Sequence, residues 1–263
     1  MRKIIIFLLF IITAAVHCAP VPVYNNEDFK RISTVTARIL TLNHYSRAQM
    51  TAELSGRVFD GFVDTIDPAR IFFSEEDIRS FGGERESIGF KLQRGEYQFA
   101  FTLYEMFRKK FHEYKTFCET QLVKGVDFNT DESFITDRSK LPRCGKRSDL
   151  PKLWKQKLTN DLLLYRLMDR AENDAAAKKT ADDNSKKTPA EKNSIVKLSP
   201  EQRVRQRLRD LANDIDQRDN IDILSLLLNA LAQAYGAHSN YHPPIPVSER
   251  VMCISKSSLS FGG

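Results

Sequence analysis

The stretch GEYQFAFTLYEMFRKKFHEYKTFCETQL, residues 95–122, decides the fold class. Phe99, Leu103, Phe107, Phe111, Tyr114, Cys118 and Leu122 recur every three or four residues. That period places them on one face of a long helix, expected to be the longest in the chain. Aromatic rings dominate the stripe, and aromatic rings can also stack nucleobases. Helical spacing points instead to core packing. Cys118 lies in the stripe and is expected as a buried thiol.

Working outward, the same period recurs. Asp28 to about His44 repeats apolar residues at Phe29, Ile32, Val35 or Thr36, and Ile39 or Leu40. Ser46 is the expected N-cap of a second helix, Arg47 to Ile66, with Met50, Leu54, Val58, Phe62 and Ile66 four apart. Asp67-Pro68 ends it, because a proline disfavours helical geometry in the residue before it. Ser74 with Asp77 three residues on predicts a capping box and a short helix through Phe81, broken at Gly82-Gly83. Beyond the central stripe, Val123 to Asp149 reads as irregular, and its basic run Arg143 to Arg147 as a solvated loop rather than a phosphate site.

Leu150 to Ala171 resumes the helical pattern through Leu153, Trp154, Leu158, Leu162, Tyr165 and Leu167 or Met168. Glu172 to about Leu198 has no large apolar residue before Ile195. Such a stretch buries too little to offset its ordering entropy, so it is expected to be a disordered, Lys-rich insertion between helices. Ser199-Pro200-Glu201-Gln202 combines an N-cap serine, a proline at the first helical position and a capping-box glutamine. Val204, Leu208, Leu211 and Ile215 continue that helix. Ile221 to Tyr235 is apolar on most sides and therefore expected to be buried, with Gly236 as its stop. After prolines 243, 244 and 246, Val251 to Phe261 reads as a short strand without a partner.

The fold class expected is therefore all-α. The organisation expected is a leader over 1–18, a helical region over 19–171, a linker over 172–198 and a helical continuation over 199–263. Composition agrees. Hydrophobic residues are 41% of the 263, enough for a core. Glycine is scarce, at 11, which argues against Gly-loop nucleotide folds and glycine-rich β folds. The net charge of +6 is mild and the lysines are scattered, so nucleic acid is not an expected partner.

Arg2 and Lys3 precede an apolar run from Ile4 to Val16, too short to span a bilayer comfortably. This reads as a secretory signal peptide cleaved after Cys18, which predicts export to the periplasm or cell envelope. A lipidated Cys18 and an uncleaved anchor stay open as alternatives. The three remaining cysteines, Cys118, Cys144 and Cys253, make no disulfide framework and allow at most one bridge.

No motif carries catalysis by itself. There is no phosphate-cradling Gly loop, no Gly-x-Ser-x-Gly elbow, no paired Cys-x-x-Cys and no His-Glu-x-x-His. His238 and His242 are four apart, but they follow the helix stop at Gly236 and do not share a helical face. No catalytic, cofactor-binding or metal-ligating residue is therefore expected, and no cofactor.

Two motifs in order point to a family. Leu231-Ala-Gln-Ala-Tyr-Gly-Ala-His-Ser-Asn-Tyr241 resembles a signature of the tail-specific proteases, also called C-terminal processing peptidases. That signature runs Ala-Tyr-Asp-Pro-His, then Ser or Thr, any residue, and Tyr. Tyr235, His238, Ser239 and Tyr241 match, whereas Gly236 and Ala237 replace the Asp-Pro pair. Upstream, Leu54, Arg57, Phe59, Asp60, Phe62, Ile66, Asp67, Arg70 and Phe72-Phe73 follow a second pattern of the family. The resemblance covers about Phe29 to Phe261. It implies the helical N-terminal region that precedes a PDZ domain and a serine protease core with a lysine base. No serine or lysine here matches that catalytic motif. The expectation is an N-terminal domain from a truncated, split or frameshifted gene, silent in catalysis alone. Its expected partners are unfolded or C-terminally tagged proteins, an adaptor, or a separately encoded protease half. A secreted all-helical binding or adaptor protein is the alternative.

Overall fold

A computed structural model describes residues 24–182 and 198–243, the side chains of 176–182 excepted. The expected leader, residues 183–197 of the expected linker and the expected strand over 251–261 lie outside the described residues. Among the described residues the protein is all-α. The helices are α1 (Asn26–Asn43), α2 (Ala52–Ile66), α3 (Glu75–Arg79), α4 (Gly82–Gln93), α5 (Gln98–Lys124), α6 (Leu150–Asp182), α7 (Pro200–Gln217) and α8 (Asn220–Tyr235), with one 3-10 turn, Arg147–Asp149.

Helix α2 lies against α4 and α8, and α1 packs on the same two helices. Helix α5 packs against α6, α7 and α8 and so joins the two groups. Its stripe is buried from Leu103 to Leu122, with Phe99 half-buried against Phe59 and Phe81. Met50, Leu54, Val58, Phe62 and Ile66 are all buried, as expected. So are Ile223, Leu224, Leu227, Leu228, Leu231 and Ala234 of α8. The contact of α2 with α4 is close because position 89 has no side chain. A Cβ on Gly89 would sit 2.3 Å from Met50 Sδ, and the Gly89 amide donates to Ser55 Oγ at 3.0 Å. Gly95 turns the chain from α4 to α5 at φ +77°, in the left-handed region that glycine tolerates best.

Several expectations are corrected. Thr51, not Ser46, caps α2: its hydroxyl accepts from the Leu54 amide at 3.1 Å. Ser46 lies in a turn in which Arg47 takes a left-handed φ of 48°. Gly82-Gly83 does not break a helix but opens α4, which the sequence reading missed. Ile88, Phe90 and Leu92 of α4 alternate like a strand and mask its helical period. In α1 the buried face is Phe29, Ser33 and Ala37, because small residues let it approach its neighbours; Val35 and Ile39 are exposed. In α7, Ala212 is buried and Leu211 is not.

Helix α6 does not stop at Ala171. It runs on to Asp182, so at 33 residues it is longer than the 27 of α5. The added turns are rich in Ala and carry two Lys, strong helix formers that need no burial to favour the helical state. Leu167 and Met168, expected on its packed face, are exposed.

Candidate functional site

Asp67, Arg70 and Phe72-Phe73 of the upstream motif gather in a polar knot where α2 ends. Asp67 is the C-cap of α2 and fully buried. Its carboxylate accepts the amides of Ile71 at 2.9 Å, Phe72 at 3.3 Å and Phe73 at 3.1 Å, and also pairs with Arg143. The Arg143 guanidinium is 7% exposed and reaches Asp64 as well, at 3.0 Å. Arg70, at φ +53°, donates to Asp64 at 2.9 Å and to the Leu141 carbonyl at 2.9 Å. The basic run expected to be solvated is thus a strap. Arg143 is buried, the Cys144 carbonyl accepts the Glu75 amide at 2.8 Å, and Arg147 Nε donates to Asp77 at 2.6 Å. Charge alone suggested solvation, and only the tertiary fold supplies the buried carboxylates.

The two acids differ. Burial, the largest influence on Asp67, raises its carboxyl above the ordinary value; Arg143 and the Phe73 and Ile71 amides pull it back only in part. Burial also pushes Asp77 up, but the Ser74 amide, Lys110 and the Ser74 hydroxyl outweigh it and hold Asp77 below the ordinary value. The Ser74–Asp77 capping box expected from sequence is formed. Of the remaining motif residues, Asp60 pairs with Arg85 at 2.6 Å, Arg57 is exposed, and Phe59 is in the core.

The downstream motif forms the loop after α8. The Tyr235 hydroxyl bonds Thr41 Oγ1 at 2.9 Å, and the Tyr241 amide donates to Asn229 Oδ1 at 3.1 Å. His238 and His242 are both exposed. Ser239 Oγ lies 3.0 Å from Nε2 of His44. This serine–histidine pair is wired against catalysis. The Ser46 amide donates to His44 Nδ1 at 3.2 Å, so in the neutral ring Nδ1 is the acceptor and Nε2 carries the proton. A protonated Nε2 donates to Ser239 and cannot take its proton. The ring acts as a tie between the end of α1 and the loop.

Beside the knot lies an apolar cleft of about 270 Å³. Phe72 from the knot, Phe111 and Tyr114 from α5, Tyr165 from α6, and Leu208 and Leu211 from α7 line it. Phe72 is held by edge contacts to Phe107 at 5.3 Å and Tyr114 at 5.7 Å. Lys157 and Asp161 pair at 2.9 Å on one wall, and Arg207 also lines the cleft, exposed. The lining can take apolar side chains, and it includes no serine, threonine or cysteine. Cys118 is buried as expected, and burial pushes its thiol up to about 12. Cys118 and Cys144 are both free.

The model of one family, the tail-specific protease N-terminal domain, matches residues 36–245. The chain belongs to that family. The match runs through the knot, the cleft and the loop after α8. The tail-specific protease of Haemophilus influenzae is 25% identical over 228 residues, which are 85% of this chain and 29% of that protein. The chain therefore spans less than a third of the relative's length. Sequence reasoning located Asp67 and Arg70 of the knot and the loop of this N-terminal domain through the family motifs, and did not single out Asp64. It missed Arg143 as a partner and missed the cleft, whose lining comes from four separated segments. Among the described residues no helix of the domain is long and apolar enough to cross a membrane.

Proposed function

We infer that this chain is the helical N-terminal part of a tail-specific serine protease, and that it is catalytically silent by itself. The Ser/Lys chemistry then resides in a protease core, carried by the rest of such a protease or by a separately encoded half. Its task is to build the body that receives an unfolded or C-terminally tagged protein, or an adaptor, with the apolar cleft taking apolar side chains. The leader motif supports a periplasmic or envelope location. The observation that carries this reading is the family match over residues 36–245, within which the aromatic cleft falls.

Two measurements test it. The purified chain, mixed with an unfolded protein ending in apolar residues, is expected to leave it intact. Cleavage that a serine replacement abolishes would overturn the silent reading. A photo-crosslinker at position 211 is expected to capture that protein, and Leu208 or Phe72 enlarged to tryptophan to reduce capture. Undiminished capture would remove the cleft from the function.

A further inference from the structure

The charges around the apolar cleft are not all matched. Four charged side chains line it: Asp67, Lys157, Asp161 and Arg207. Asp67 is satisfied inside the knot, and Lys157 pairs with Asp161 at 2.9 Å. Arg207 is exposed and makes no ion pair or hydrogen bond among the described residues. The cleft therefore carries an uncompensated positive charge at its rim.

That rim is shared. A shallow second pocket has Tyr165, Arg207 and Leu211 in common with the cleft and adds Gln206, Asp210 and Asp214 of α7. Among the described residues, Asp210 accepts from the neutral Gln206 amide at 2.7 Å, and Asp214, exposed, has no partner. Arg207 thus stands on a ridge between an apolar cleft and an acidic shelf. Along the α7 axis, Asp210 and Asp214 lie about 4.5 and 10.5 Å beyond Arg207. In an extended peptide, alternate residues share a face about 7 Å apart. A base two residues from an acid bound at Arg207 therefore falls between the two aspartates.

We propose that cleft and shelf together bind an internal polypeptide segment with an apolar, an acidic and a basic residue at alternate positions. The apolar side chain enters the cleft, the acid pairs with Arg207, and the base sits between Asp210 and Asp214. The proposal rests on the cleft receiving apolar side chains of a polypeptide, and it adds what selects among them. The shelf favours an internal segment over a chain end, because the groove continues past Arg207, where a terminal carboxylate would stop. Exposed charges of this kind add little affinity one by one and act mainly on selection.

Three peptides, capped at both ends and symmetric so that the direction of binding does not matter, test this by fluorescence anisotropy with the full chain. The first reads Lys-Ser-Glu-Ser-Phe-Ser-Glu-Ser-Lys. The second exchanges its lysines and glutamates, which keeps the net charge at zero, and the third has serine at all four charged positions. The native chain is expected to bind the first roughly ten-fold more tightly than the second at low salt. Arg207→Glu is expected to abolish or reverse that preference. Arg209→Glu, on α7 but outside both pockets, is expected to leave it unchanged. Equal affinity for all three peptides, each weakened by Leu208→Trp, would overturn the proposal and leave the cleft as an apolar site. Affinities that neither Leu208→Trp nor Phe72→Trp weakens, or no binding at millimolar peptide, would overturn the cleft's role itself and the proposal with it. Tighter binding of an uncapped serine peptide ending in phenylalanine than of the first peptide would overturn the internal segment in favour of a chain end.

Discussion

The knot at the end of α2 and the cleft beside it share Asp67, yet they are built on opposite principles. In the knot every charge is matched: Asp67 has three amides and a guanidinium, and Arg143 has two carboxylates. In the cleft, aromatic and leucine side chains face about 270 Å³ that no protein atom fills. Buried polar groups hold one geometry, because any slippage strands a charge in low dielectric. Apolar walls tolerate rearrangement, because their contacts have no direction. The knot is thus suited to fixing the chain path and the cleft to accepting varied apolar groups.

The largest expected effect is in the knot. Asp67→Ala takes from the buried Arg143 one of its two carboxylates, strands three backbone amides and should cost about 3–5 kcal/mol of stability in urea titration. A loss under about 1 kcal/mol would mean the knot is no more than a surface cluster. In the cleft, Leu208→Ala should cost about 2–5 kcal/mol, since Leu208 is 4% exposed and its removal adds to an existing void. Leu211→Ala, at 39% exposed, should cost less than about 1 kcal/mol. Equal losses at the two positions would mean the cleft closes in solution.

Acid sharpens the contrast between the two carboxylates. Asp77 is held below its ordinary value, so its contribution is complete above about pH 4 and is lost as pH falls through its folded value. Asp67 is raised, so its linkage runs the other way and weakens the fold as pH rises through its window. Asp77→Asn should therefore cost about 1.5–3 kcal/mol near neutrality and flatten the acid side of the stability curve. Urea midpoints between about pH 2.5 and 7 measure this; an acid side as steep as in the native chain would assign the acid sensitivity to other groups. The smallest effect concerns the start of α2. Thr51→Ala should cost about 1 kcal/mol, and Ser46→Ala a few tenths. The reverse order would restore Ser46 as the cap.

Legibility in the sequence followed range. The Ser74–Asp77 and Ser199–Gln202 boxes could be read because cap and partner are three residues apart. The stripes of α2, α5 and α8 could be read because burial repeats with the helical turn. Helix α4 could not, because its apolar residues alternate and Gly82-Gly83 looks like a stop. The far end of α6 was misassigned because it lacks large apolar residues, though its Ala and Lys favour helix without burial. In the candidate site, motif spacing marked Asp67 and Arg70. Arg143, 76 residues from Asp67, carried no local sign of its role.

By itself the sequence determined the all-α class, the helices that bury a continuous stripe and the family motifs, since each depends on residues within a few turns of one another. Only the tertiary structure decided which faces of α1 and α7 turn inward, that a basic loop becomes a strap anchored by a buried Arg143, and where a cleft opens. The physical reason is that burial, ion pairing and voids depend on what other segments bring to a surface. A run such as Arg143 to Arg147 has the same local character whether water or Asp67 awaits it.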